Sequence, residues 1–192
     1  MMKTIIFFDT NMIRKQGKYK LDISKFIEEH ERIGDVFLIE IVADELAQYY
    51  TNTIKTEIFE REKIIQMLDH GFKFRDHFEE DNIFNSVKKT IQNYFGDKQL
   101  AFPQIGVQEI YQRALTKKPP FSLKGDNGLK DTLIWLTILH GDYSHYDKII
   151  FLTKDKQFTD HQIELDREFQ RKNNKSIQIV KGVDNLLKEI DL

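Results

Sequence analysis

Four acidic residues stand beside strongly apolar segments: Asp9 after KTIIFF, Glu45 in VADEL, Asp131 in GLKDTLIW and Asp155 in FLTKD. Carboxylates suit two kinds of chemistry, proton transfer and the binding of hard cations through oxygen. Each of the four has an ordinary explanation when taken alone. Acids are frequent at helix N-termini, where they cap free N–H groups and face the positive end of the helix dipole. Asp9 suits a turn that closes a strand, and Asp155, between Lys154 and Lys156, suits a solvated turn. Crowded at one rim, however, four carboxylates repel one another and raise one another's pKa values. A divalent cation with oxygen ligands removes that penalty. Mg2+ or Mn2+ is the expected ion. The chain has no Cys, and its six His show no zinc-ligand pair within a convincing element.

A parallel sheet is the element that would gather these acids. Lys3–Phe8 (KTIIFF), Val36–Ile39 (VFLI) and the IIFL within Lys148–Thr153 read as strands buried on both faces. Helices are expected at 22–33, from about 42 to about 70, at 84–95 and at 105–115. Gly34-Asp35 ends the first and Gly96 the third, and Pro103 and Pro119-Pro120 bracket the fourth. Gly128–Leu139 carries LIWLTIL, apolar around most of its circumference, and reads as a buried helix. Residues 162–172 read as a charged helix, 177–180 as an outer strand, 72–74 as a short edge strand and 183–190 as a closing helix. This alternation predicts an α/β three-layer sandwich with a mostly parallel central sheet. One domain is expected over 1–192, with about 72–122 as a helical elaboration.

Ligands of open parallel sheets bind outside the carboxyl ends of the strands. Asp9 and Asp155 follow two such strands. Helices that return antiparallel to the strands begin at the same end, which adds Asp131 and also Glu45, expected in the first turn of its helix. Glu40 and Asp44 lie close enough in sequence to compete with Glu45. Asp126, in GDNG, reads as a cap or loop acid with a supporting role open to it.

Composition bounds the alternatives. At 192 residues, 40% hydrophobic and 12% aromatic with 15 Phe, the chain can bury a sizeable core. Without Cys there is no disulfide or thiol nucleophile. The apolar start is too short for a signal peptide or a spanning helix, so a cytoplasmic protein away from membranes is expected. A net charge of -2 does not mark the whole chain as a nucleic-acid binder.

In order, the segments IIFFDTN, VADEL, GLKDTLIW and FLTKD resemble the four signature regions of PIN-domain nucleases. The resemblance covers the first fifty residues and those from about 125 to 158. It implies that Asp9, Glu45, Asp131 and Asp155 are the acidic set, with Asn11 as the polar residue after the first Asp and Thr153 as the hydroxyl before the last. The middle third is longer than in minimal toxin-type members and is more like larger bacterial PIN-like proteins with extra helices. The resemblance implies single-stranded or structured RNA as substrate. DNA stays open, because PIN folds resemble flap-type DNA nucleases. Toxin, RNA-processing and defence roles are all compatible with it, as are a homodimer and a small inhibitory protein partner.

Phosphodiester hydrolysis suits such a site. A bound metal lowers the pKa of a water and stabilises charge on phosphoryl oxygens. Asp9 is the expected central ligand, Asp131 and Asp155 hold metal or its water, and Glu45 orients a water or supports a second ion. Asn11 and Thr153 are expected to fix carboxylate orientation. Backbone phosphates need cations. Arg14, Lys15, Lys18, Lys20, Lys124 and Lys156 are candidates, with Lys130 and Lys154 foremost for their places beside the acids. A phosphatase of the haloacid dehalogenase type would need a second Asp at position 11, where Asn stands. A PIN-like module that binds RNA or protein without catalysis is the other reading.

Overall fold

The computed structural model describes residues 2–13, 23–68, 80–121 and 128–182. Five parallel strands, β1 (Thr4–Phe8), β2 (Asp35–Ile39), β3 (Gln99–Leu100), β4 (Lys148–Leu152) and β5 (Ile177–Val180), form one sheet in the order β3-β2-β1-β4-β5. The helices are α1 (Thr10–Ile13), α2 (Ile23–Glu31), α3 (Glu40–Leu68), α4 (Glu80–Phe95), α5 (Val107–Leu115), α6 (Gly128–Leu139), α7 (Lys156–Thr159) and α8 (Gln162–Asn173). The α/β sandwich and its parallel sheet are as expected.

β1 is buried along its whole length because it has a strand on each side and a helical layer on each face. Side chains alternate across a strand. Phe8 accordingly meets Phe26 of α2 and Phe95 of α4, with ring centroids 4.9 and 5.6 Å away. Its neighbour Phe7 meets Tyr143, which in turn meets Phe169 of α8. One pair of adjacent phenylalanines thus ties the two helical layers to the central strand. Gly34 enters β2 against Thr4, whose carbonyl oxygen would lie 2.5 Å from any Cβ there, so a side chain would force the strands apart.

Four elements depart from the sequence reading. One edge of the sheet is Gln99–Leu100, paired to Leu38 and Ile39. Two residues carry no periodicity, so the alternation rule had nothing to detect. The expected strand at 72–74 and the closing helix at 183–190 lie outside the described residues. The long helix begins at Glu40, directly after β2, so Glu45 lies in its second turn and not its first. The short helices α1 and α7 follow β1 and β4 and were not foreseen.

Chain order sets where the sheet opens. From β1 the chain moves outward to β2 and β3, and from β4 it moves outward the other way to β5. The order reverses between β1 and β4, and the crevice of an open α/β sheet lies at that switch, beyond the carboxyl ends of the strands.

Candidate active site

Asp9 directly follows β1, and its backbone N–H donates to the Leu152 carbonyl at 2.9 Å, which carries the β1–β4 pairing into the crevice. The Asp9 side chain is held by donors from two short segments. Asn11 Nδ2 in α1 donates to Asp9 Oδ2 at 2.5 Å, and Thr153 Oγ1 after β4 donates to the same oxygen at 2.8 Å. Asn11 Oδ1 accepts from the backbone of Lys154 at 3.0 Å, and Thr153 Oγ1 accepts from the backbone of Asp155 at 3.0 Å. Asp155 is also the N-cap of α7, accepting from Gln157 N at 2.8 Å. Its capping role and its place at the rim are compatible, because a carboxylate has a second oxygen.

The far wall comes from α3 and α6. Glu45 Oε2 accepts from Thr10 Oγ1 at 2.5 Å, and Lys130 Nζ lies 3.2 Å from Glu45 Oε1. Asp131 stands in the first turn of α6, one residue after Lys130. Asp9, Glu45, Asp131 and Asp155 all line one cavity of about 350 Å³, with Thr10, Asn11, Gln48, Tyr49, Asn52 and Lys130. Glu40 and Asp44 are elsewhere. Glu40 accepts from the backbone of Phe102, and Asp44 pairs with Lys88 at 2.5 Å. Of the three neighbouring acids, Glu45 alone lines the cavity.

The electrostatics follow from that crowding. Burial first, and then repulsion from Glu45 and Asp155, pushes Asp9 up to about 6 against the hydrogen bond from Thr153. Burial and the charges of Asp155, Asp9 and Glu45 push Asp131 up to about 7, opposed by Lys130. Two carboxyls that titrate so far above their usual range are under-compensated in negative charge. The donor set is all oxygen, which fits a hard divalent cation and not zinc. As placed, no group of three or more His, Cys, Asp or Glu side chains among the described residues is arranged to hold a metal ion. The chemistry of the donors therefore fits such an ion, while the side chains stand apart rather than closed around one.

The other expected site residues divide. Asn11 and Thr153 touch Asp9, and Lys130 lines the cavity. Lys154 is exposed and is not among the cavity-lining residues. Asp126, Lys124 and Arg14 lie outside the described residues, as do Lys15, Lys18 and Lys20. Thr10, Gln48, Tyr49 and Asn52 were missed by the sequence reading. A signal existed for the last three: they stand three, four and seven residues after Glu45, the spacing of one helix face.

No described helix is long and apolar enough to cross a membrane. No curated relative and no solved structure matches the chain. The sequence model of the PIN domain matches residues 6–158, a span that begins in β1, ends in α7 and contains all four rim acids. With most of its length covered by that match and a parallel sheet opening on an acidic crevice, this chain belongs to the PIN-domain family.

Proposed function

We propose that this chain is a metal-dependent nuclease, an endoribonuclease that hydrolyses phosphodiester bonds at the cavity between β1 and β4. The observation that carries the reading is the single cavity lined by Asp9, Glu45, Asp131 and Asp155, in which burial and mutual repulsion push Asp9 up to about 6 and Asp131 up to about 7. Such a site gains most from a bound cation, since ionising all four groups is otherwise opposed by burial and by their mutual repulsion. Mg2+ or Mn2+, when bound, would activate a water and neutralise charge on the phosphate.

The chain's own residues have distinct tasks in this reading. Asp9, Asp131 and Asp155 are the metal ligands. Asn11 and Thr153 fix the Asp9 carboxylate by donating to one oxygen, which sets its orientation before any ligand arrives. Glu45, held by Thr10, accepts the proton of the attacking water or orients it. Lys130 bridges Glu45 and is well exposed, so its ammonium can turn to a substrate phosphate. RNA is the substrate that the family resemblance implies, and a DNA strand is the alternative the same chemistry would accept.

The test is cleavage of labelled RNA and DNA strands with Mg2+, Mn2+ or a chelator. Cleavage is expected only with the ion, and Asp9→Asn is expected to lower it by more than about 100-fold, beyond the usual effect of losing an outer partner of a metal ligand. Asn can still accept from Asn11 and Thr153, so the fold is retained. Cleavage by Asp9→Asn at the parent rate would refute the site.

A further inference from the structure

The cavity does not end at Asn52. Six residues of α3, Glu45, Tyr49, Asn52, Thr56, Phe59 and Lys63, alternate at spacings of four and three. That pattern keeps them on one helix face, with only a slow drift from turn to turn. Its first half lines the acidic cavity. Its second half leaves the core: Thr51 is the last buried residue of α3 among those described, and beyond it each is exposed or half-exposed.

Two features of that outer half suit a ligand. Phe59 is 57% exposed, although a phenylalanine at the surface of a helix gains nothing from water. Lys63, one turn on, places Nζ 4.7 Å from the centre of the Phe59 ring. An aromatic platform beside an ammonium group is the arrangement by which proteins hold single nucleic-acid strands: bases stack on rings and phosphates meet cations. Tyr49 offers a second ring inside the cavity, set edge-on to Tyr50 at 5.1 Å. Beside Tyr49 in the cavity lining, Gln48 donates to Asn52 at 3.1 Å, an amide pair suited to base edges or sugar hydroxyls. Glu60 borders the stripe, so the platform is aromatic first and cationic second.

We propose that this face of α3 is a track for one nucleic-acid strand, leading from the acidic cavity at Tyr49 to an outer stacking platform at Phe59 and Lys63. The proposal rests on the nuclease reading and extends it to the length and strandedness of the substrate. Ten residues of helix separate Tyr49 from Phe59, about 15 Å along the axis. At a stacked spacing of roughly 3.4 Å this corresponds to about four nucleotides. A duplex offers no unstacked base to either ring.

Binding without cleavage tests the track directly. Asp9→Asn would be titrated, in chelator, against fluorescent uridylate and thymidylate strands of about 12 and about 3 nucleotides and against a duplex. Phe59→Ala is expected to weaken the longer strands by at least about fivefold and to leave the shorter ones unchanged. Phe59→Trp is expected to restore binding, and Lys63→Gln to reduce the dependence of log affinity on log salt by about one contact. Tyr111→Ala, at a surface ring on α5 that is 59% exposed, is the control and is expected to have no effect. The relative response of uridylate and thymidylate tells RNA from DNA on the same track.

Equal binding by Phe59→Ala and its parent would overturn the track, as would a duplex binding as tightly as a single strand. Loss of self-association in place of strand binding would assign the face to protein contact and likewise overturn it. The nuclease reading fails separately, on cleavage that does not need Asp9.

Discussion

Two carboxylate sites lie within one helical turn of each other along α6 and are treated in opposite ways. At Asp131 the neighbours are Asp9, Glu45 and Asp155, and the carboxyl is pushed up to about 7 by burial and like charge. One turn later Trp135 Nε1 donates to Glu168 of α8 at 2.9 Å. Glu168 also receives Arg113 and Lys118, each at 2.5 Å, and its pKa falls below the usual carboxylate range: the hydrogen bonds and charges of these partners outweigh its burial. Arg113 is itself buried and donates further to the Pro119 carbonyl. The Glu168 knot fastens α5, α6 and α8 together with nothing left over. The rim leaves negative charge unsatisfied. The contrast separates a carboxylate whose charge is matched within the protein from carboxylates whose charge is opposed by burial and by one another.

Exchanging amide for acid at both places should split the two functions. Asp9→Asn is expected to abolish metal-dependent cleavage and to leave thermal stability in chelator equal to the parent or above it. Glu168→Gln is expected to do the reverse. It leaves the Arg113 guanidinium buried without its counter-charge, at a cost of about 3 kcal/mol, while the rim acids stay in place. Chemical denaturation and cleavage assays on both variants check this. A Glu168→Gln protein as stable as its parent would show that the knot contributes little.

The pH dependence should also differ in sign. Asp9 and Asp131 have folded pKa values raised to about 6 and 7. In chelator the folded state thus binds more protons than the unfolded one between about pH 4 and 7, and stability falls as pH rises through that window. Glu168 has a depressed folded pKa, so its stabilisation is present at neutral pH and is lost as pH falls below the carboxylate range. Melting temperature measured in chelator from pH 5 to 8 should decline, and Mg2+ or Mn2+ should flatten the decline. Asp9→Asn should flatten it without metal. A melting temperature that rises over this range in chelator would contradict the assigned rim.

The smallest effect is expected at Lys130. Its side chain is 69% exposed, so its ion pair with Glu45 is screened by water. Lys130→Gln should change stability by less than about 0.5 kcal/mol. Its consequence should appear as a higher KM with a weaker salt dependence, while kcat is largely kept. A fall in kcat with KM unchanged would move Lys130 from substrate contact to the chemical step.

Much of the fold was legible because its signals are local and long. The strand TIIFF, buried on both faces, is apolar from Ile5 to Phe8, and LIWLTIL, apolar around most of its circumference, reads as a helix enclosed by other elements. β3 was illegible for the opposite reason: two residues suffice to extend a sheet once Leu38 and Ile39 stand ready beside them. The start of α3 was read about two residues late, since α3 follows β2 without a connecting loop and no cap residue announces it. At the site, the residue types at 9, 45, 131 and 155 were visible, while the choice of Glu45 over Glu40 and Asp44 was not. All three lie within six residues, and only the path of α3 decides which one faces the cavity.

The sequence by itself determined the composition of the rim. Apolar runs that stop at acids dictate parallel strands with carboxylates at their ends, because burial and solvation act residue by residue. The tertiary structure decided what those acids experience. Their raised pKa values arise from distances between four segments more than a hundred residues apart at the extremes, and the same packing gave Glu168 its cations and turned the α3 stripe outward. Charge interactions depend on separation and on the surrounding dielectric, and neither is written in the order of the residues.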